Sequence, residues 1–150
     1  METRILSIDP SGTGTSGIFF KNGEQEEFQE YQEKDWKKHY AFITSLVKVY
    51  QPNLLLYENT NFINLRGKDM TSLLRLLGSL EVMTIEKVKS IPVDQVKRLV
   101  KQLLRGEVKI NGLEYKPGRG KGWMFKGKRI SIHQLEAFIV YYLSRNKSEQ

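Results

Sequence analysis

The sequence predicts a mixed α/β sheet with helices on its faces. Three observations carry this: extended runs joined by turn signals fill the first quarter, short apolar runs then alternate with amphipathic stretches, and an apolar helix closes the chain. The 150 residues suit one domain, 1–150, and 39% hydrophobic against 27% charged residues can bury one sizeable core.

Residues 4–8 form a short apolar run that delivers Asp9 at its end, before the glycine-rich stretch 11–17. Ile18, Phe19 and Phe20 lead into Asn22-Gly23, a dipeptide suited to a tight hairpin, and residues 24–31 resume an extended pattern. An antiparallel three-stranded meander is expected. Asp35 can cap a helix with apolar positions Trp36, Tyr40, Ile43, Val47 and Tyr50, ended by Pro52. His39 is expected on the polar side of that helix, without a catalytic role. Residues 54–57 then read as a buried strand ending at Glu58.

Met70, Leu73, Leu74, Leu77 and Leu80 give a second helix, and residues 88–91 a strand stopped by Pro92. Pro92 also suits the start of a third helix carrying Val93, Val96, Val100 and Leu103 on one side. From 106 to 127 six glycines alternate with Lys, Arg, Tyr115, Trp123 and Phe125, which predicts a loop or loose hairpin. Ser131 and Gln134 make a capping-box pattern for a last helix running through Leu143, with Leu135, Phe138, Ile139 and Tyr142 toward the sheet.

Net charge is +7, but its distribution is uneven. Residues 97–129 hold eleven Lys or Arg and two Glu, so 11 − 2 gives +9 there and −2 elsewhere. Such concentration points to a polyanion-binding surface; a solvated lysine-rich loop is the plainer alternative. With no cysteine, thiolate zinc sites, disulfides and a cysteine nucleophile are excluded, and any metal must be held by oxygen or imidazole. The start carries no basic-then-apolar signal and no apolar run approaches the ~18 residues of a membrane span, so a cytoplasmic protein with no membrane partner is expected.

Gly12, Gly14 and Gly17 spell G-x-G-x-x-G, yet a dinucleotide site needs a helix to begin there, and an extended run follows instead. A flexible turn is the alternative. Asp9 and Glu58 end two strands that, as neighbours, would bring both carboxylates to one sheet edge. His133 and Glu136, three apart, share a face of the last helix. Three acids and an imidazole from separated segments are a reasonable ligand set for Mg²⁺ or Mn²⁺.

Ile5-Leu6-Ser7-Ile8-Asp9-Pro10-Ser11-Gly12, with Gly17, resembles the opening of RuvC-type Holliday junction resolvases in the ribonuclease H-like superfamily. Residues 54–58, Ile91-Pro92 with Val96-Lys97, and His133-x-x-Glu136-Ala137 resemble its later motifs, so the likeness covers about 4–20, 53–98 and 130–144. The resemblance implies a ribonuclease H-like mixed five-stranded sheet flanked by helices, with a basic glycine-rich insertion at about 106–129. It implies a homodimeric Mg²⁺- or Mn²⁺-dependent endodeoxyribonuclease with two ions per site, resolving four-way junctions by paired phosphodiester hydrolysis in a bacterial or phage-infected cell. Asp9, Glu58, His133 and Glu136 would be metal ligands, although the family usually carries Asp where Glu136 stands. Lys97 and Lys101 are the first candidates for its basic catalytic residue, ahead of Lys121, Lys126 and Lys128; backbone contact is the alternative. Phe62 stands near the family's base-stacking aromatic, or is an ordinary core contact. Arg119, Lys121, Trp123, Lys126 and Lys128 are further DNA-binding candidates, with Trp123 and Phe125 alternatively packing beneath the loop. The exposed side of the helix from 70 to 83, including Leu76 and Met83, is the expected dimer face. Two rivals stand beside this reading: a branched-DNA-binding protein that does not cleave, and one lobe of an actin-like or sugar-kinase ATPase, whose phosphate turn Asp9-Pro10-Ser11-Gly12 also resembles.

Overall fold

The computed structural model describes residues 3–60, 67–120 and 122–148. The meander is present as β1 (Arg4–Asp9), β2 (Thr15–Asn22) and β3 (Gln25–Gln32). Helix α1 (Trp36–Tyr50) then leads to β4 (Leu54–Asn59), and α2 (Gly67–Glu81) to β5 (Lys87–Pro92). These strands form one five-stranded sheet in the order β3-β2-β1-β4-β5, with β1 parallel to β4, β4 to β5, and the two hairpins antiparallel. α3 (Val93–Leu104) follows without a loop, and α4 (Ile132–Ser148) closes the chain.

Strand alternation splits the core across the sheet. Leu6, Ile8, Ile18, Phe20 and Leu55 face α1 and α2, while Phe19, Leu56 and Ile91 face α3 and α4. The helix starts follow their sequence signals. Asp35 accepts from the Lys37 N–H at 3.0 Å. The Ser131 N–H donates to Gln134 Oε1 at 2.9 Å while the Gln134 N–H donates back to Ser131 Oγ at 3.1 Å, a reciprocal capping box.

Three expectations are refined or corrected. Of the two readings of residues 106–127 the hairpin is realised and extended: β6 (Leu113–Lys116) and β7 (Gly122–Phe125) pair antiparallel, and β8 (Lys128–Ile130) joins them in a second three-stranded sheet. Lys126 and Gly127, both at positive φ (49° and 82°), make the tight β7–β8 turn, a geometry more often signalled by Asn-Gly. His39 is fully buried, because it lies on the arc shared by Trp36, Tyr40 and Ile43. Its Nε2 lies 2.7 Å from the Glu33 carbonyl and its Nδ1 2.9 Å from Ser16 Oγ, so the ring ties α1 to the start of β2. Leu76 is also fully buried, against the sheet, and cannot lie on a dimer face; Leu74 is the exposed leucine of that helix and Met83 is half-buried.

Two of the three glycines in the 12–17 stretch are there for close packing. A Cβ on Gly12 would lie 2.7 Å from the Leu73 backbone nitrogen, and one on Gly17 would collide with the His133 carbonyl. Both serine hydroxyls of the 11–17 stretch are also occupied: Ser11 Oγ accepts the Gly14 N–H at 2.8 Å, and Ser16 Oγ the Ser11 N–H at 2.9 Å. Because backbone atoms cannot yield as a side chain tip can, Gly17→Ala should cost about 3 kcal/mol or more of stability. Denaturant titration checks this; a loss under 1 kcal/mol, on the order of an ordinary surface change, would show that α4 can lift off β2 cheaply.

Candidate active site

Asp9 and Glu58 come to the same sheet edge because β1 and β4 are parallel neighbours. Their side is set by the two-residue strand period: Asp9 follows Ser7, and Glu58 follows Leu56, both of which face α4. From above, α4 supplies Glu136, one residue before Ala137, whose carbonyl accepts the Ser7 hydroxyl at 2.7 Å. One carboxylate oxygen from each of Asp9, Glu58 and Glu136 lies within 4.8 Å of the other two.

Two cationic groups adjoin these acids. Lys97, in the second turn of α3, ion-pairs with Glu136, whose side chain is only 7% exposed while that of Lys97 is 54% exposed. His133 Nδ1 lies 3.4 Å from Asp9 Oδ2 at the solvent side. Sequence reasoning therefore placed Asp9, Glu58, Glu136, His133 and Lys97 together, and the structure brings them together; among the described residues the three-carboxylate cluster leaves His133 beside it, on Asp9.

Burial, then the neighbouring charges of Asp9 and Glu136, pushes the Glu58 carboxyl up to about 9. Burial likewise raises Asp9 to about 7, against the opposing hydrogen bond from His133. His133 is raised mainly by that bond to Asp9, and burial works against it. Lys97 is disfavoured by burial, yet its contact with Glu136 raises it overall. Glu58 Oε2 is buried and has no hydrogen-bond partner among the described residues. A hard divalent cation fits this set on three counts: all-oxygen donors, crowded like charges, and an orphaned buried acceptor.

The other candidates are dispersed. Lys101 stands one turn beyond Lys97 and is exposed, as are Arg119 and Lys128. Lys126 is paired with Glu26, across to β3. Trp123 is 7% exposed and packs beside Tyr115 at 5.1 Å, so of its two readings the packing one is realised and the DNA-facing one is corrected. Phe125 joins it in the core beside Phe28 and Phe138. Phe62 and Lys121 lie outside the described residues. Sequence reasoning missed Ser7, whose polarity inside an apolar strand was the available signal, and Glu30, which accepts from the Ser131 hydroxyl at 2.7 Å and adds negative charge near His133.

No protein-family model and no curated protein matches this chain. Solved structures do. T. thermophilus RuvC in complex with Holliday junction substrate aligns over 97% of this chain and 96% of that one, at 15% identity and a TM-score of 0.61. A Thermus thermophilus RuvC structure aligns over 97% of both, at 16% identity and a TM-score of 0.57. At that identity the likeness establishes the fold: a ribonuclease H-like mixed sheet of the RuvC type.

Asp9 and Glu58 hold protons more tightly in the native state than when unfolded, so their contribution to stability is full below about pH 4 and falls as pH rises toward 9. His133, also raised, has the same sign. In EDTA, the thermal midpoint of the native protein minus that of Asp9→Asn/Glu58→Gln should drop by several degrees between pH 5 and pH 9. Added Mn²⁺ should raise the native midpoint, more at pH 9 than at pH 5. A difference that grows with pH in EDTA would contradict the site's electrostatics.

Proposed function

We propose that this chain is a divalent-metal-dependent endonuclease that resolves branched DNA, four-way junctions foremost. The observation that carries the reading is the convergence of Asp9, Glu58 and Glu136 from three elements around one ligand-sized space, with a buried oxygen of Glu58 left over. Asp9, Glu58 and Glu136 would hold Mg²⁺ or Mn²⁺, with His133 completing the set beside Asp9. Two such ions supply Lewis-acid stabilisation of a phosphodiester and a water of lowered pKa.

The chain's own residues do the remaining work. Lys97 presents a half-exposed ammonium at the rim of the acidic cluster, where it offsets the carboxylate charge an incoming phosphate would meet. Lys101 extends that positive edge along α3, and Arg119 in the β6–β7 connection and Lys128 in β8 offer backbone contacts. Buried walls of Leu56, Leu135 and Ile139 limit water behind the carboxylates. The Holliday junction substrate bound by T. thermophilus RuvC, a protein of the same fold, supports the four-way junction as substrate class. Symmetric cutting of two strands requires two sites, which a homodimer through the exposed side of α2, around Leu74, would provide.

Asp9→Asn and Glu58→Gln should each lower junction cleavage by about 100-fold or more, with binding in EDTA nearly unchanged. Glu136→Gln should behave alike, and Glu136→Asp should keep measurable cutting. Should the native protein bind junctions in EDTA yet never cut them with Mg²⁺ or Mn²⁺, it is a junction-binding protein without nuclease activity.

His133→Ala should raise the Mn²⁺ concentration for half-maximal cleavage by about 10-fold. Normal cutting across the Mn²⁺ titration would remove His133 from the site. In binding assays, Lys101→Ala and Lys128→Ala should each flatten the slope of log affinity against log salt by about 0.9 on duplex arms. An unchanged slope for either variant takes that lysine off the DNA.

A further inference from the structure

The sheet face that carries the carboxylates continues away from them. Two-residue steps back along each strand lead from Asp9 to Ser7 and Ile5, and from Glu58 to Leu56 and Leu54; on the adjoining β5 the same side carries Lys89 and Lys87. Ile5 lies four residues from Asp9, roughly 13 Å along the strand. At this far end Ile5, Leu54, Leu56 and Tyr141 form the apolar part of a cavity of about 400 Å³, and Lys87, Lys89, Ser144 and Arg145 supply its polar part. A smaller hollow of about 240 Å³ adjoins it, sharing Ile5, Tyr141 and Arg145 and adding Lys21, which pairs with Glu26 at 3.5 Å.

Among the described residues, no carboxylate lines either hollow. Lys87 and Lys89 are exposed neighbours on one side of β5, and the close approach of the Lys87 ammonium, with its charge, lowers Lys89's hold on its proton. Arg145 donates to the Tyr141 hydroxyl at 2.8 Å, which holds its guanidinium beside the groove. Ile5 and Leu54 are only half-buried, so apolar surface is available to a partner.

We propose that this groove docks an acidic peptide segment bearing one bulky apolar residue, presented by a partner protein. Charge complementarity selects it: among the described residues no carboxylate lines the cavity beside Lys87 and Lys89, so a run of carboxylates relieves their repulsion. The floor selects the apolar residue, because the half-buried Ile5 and Leu54 gain from covering and give a phosphate nothing to bind. A nucleic-acid backbone would match the rim alone. About 400 Å³ accommodates a leucine- to tryptophan-sized side chain with part of its backbone. The groove lies at the opposite end of the strands from the carboxylates, so an occupied groove leaves the cluster open, and the proposal does not rest on the nuclease reading.

The test uses the full chain with fluorescein-labelled peptides of four Asp or Glu followed by Leu, Ile, Phe or Trp. At least one should bind saturably by fluorescence polarisation. Binding should weaken about tenfold or more when the apolar residue becomes Ser, or in Lys87→Glu/Lys89→Glu, whose changed side chains are exposed and leave the fold intact. Methyl NMR of the native chain should show the peptide shifting Ile5, Leu54 and Leu56, and affinity for a labelled duplex should be unchanged by the double variant. No binding by any peptide overturns the proposal, as do binding indifferent to the apolar residue or shifts that spare those methyls. Loss of duplex affinity in the double variant assigns the rim to nucleic acid and overturns it as well.

Discussion

The first turn of α4 rests on the bare backbone of β2. At Gly17 even a Cβ would strike the His133 carbonyl, and four residues further along the helix the Ala137 carbonyl is held from beneath by the Ser7 hydroxyl. Those two contacts set how low the helix rides, and with it most of what matters in the molecule. Leu135, Ala137, Phe138, Ile139, Val140 and Tyr141 are buried in succession, which is unusual for a surface helix and follows from this depth. Glu136, one residue from the Ala137 bond, is carried down among Asp9 and Glu58, while His133, a turn earlier, stays at the rim.

The same descent creates an electrostatic conflict. Three carboxylates with restricted water cannot all ionise cheaply, and the pair from the strands responds by holding protons well above the usual carboxylate range. Lys97 and His133 offset part of the charge, but each is tied to one acid, Glu136 and Asp9 respectively, and Glu58 Oε2 keeps no partner among the described residues. A core designed for stability alone would not retain this arrangement, since burying unpaired acids costs free energy that apolar residues would not. Clusters whose charges are perturbed by both burial and one another are characteristic of functional sites, and here the cluster stands at an open sheet edge.

Much of this was legible in the sequence because the relevant signals are local. Strand ends at Asp9 and Glu58, the Asp35 cap and the Ser131–Gln134 box each depend on a few adjacent residues, and all four formed where their patterns placed them. What was not legible depends on partners distant in the chain. His39 looked polar and solvent-facing until its hydrogen bonds to Ser16 and Glu33 made burial affordable. Leu76 looked available until the sheet covered it. The role of Gly17 could not be read from a glycine spacing that equally describes a phosphate loop, because the residue it accommodates lies 116 positions later.

The basic segment after α3 combines both kinds of information. Its glycines and lysines describe a mobile surface, yet β7 alternates inward and outward, so Trp123 and Phe125 enter the core while Gly122 and Met124 stay half-covered. Phe125 completes a ring of aromatics with Phe19, Phe28 and Phe138, at centroid separations of 5.0 to 6.5 Å. The small sheet is thereby fastened to the α4 side of the large one, and the ion pair of Lys126 with Glu26 fastens it again at β3. Charges on a free loop would sample many positions and lose entropy on meeting a ligand; charges on an anchored sheet begin in place. Lys128, in β8, and Arg119, in the β6–β7 connection, are thus held in position by two aromatic residues that never reach the surface.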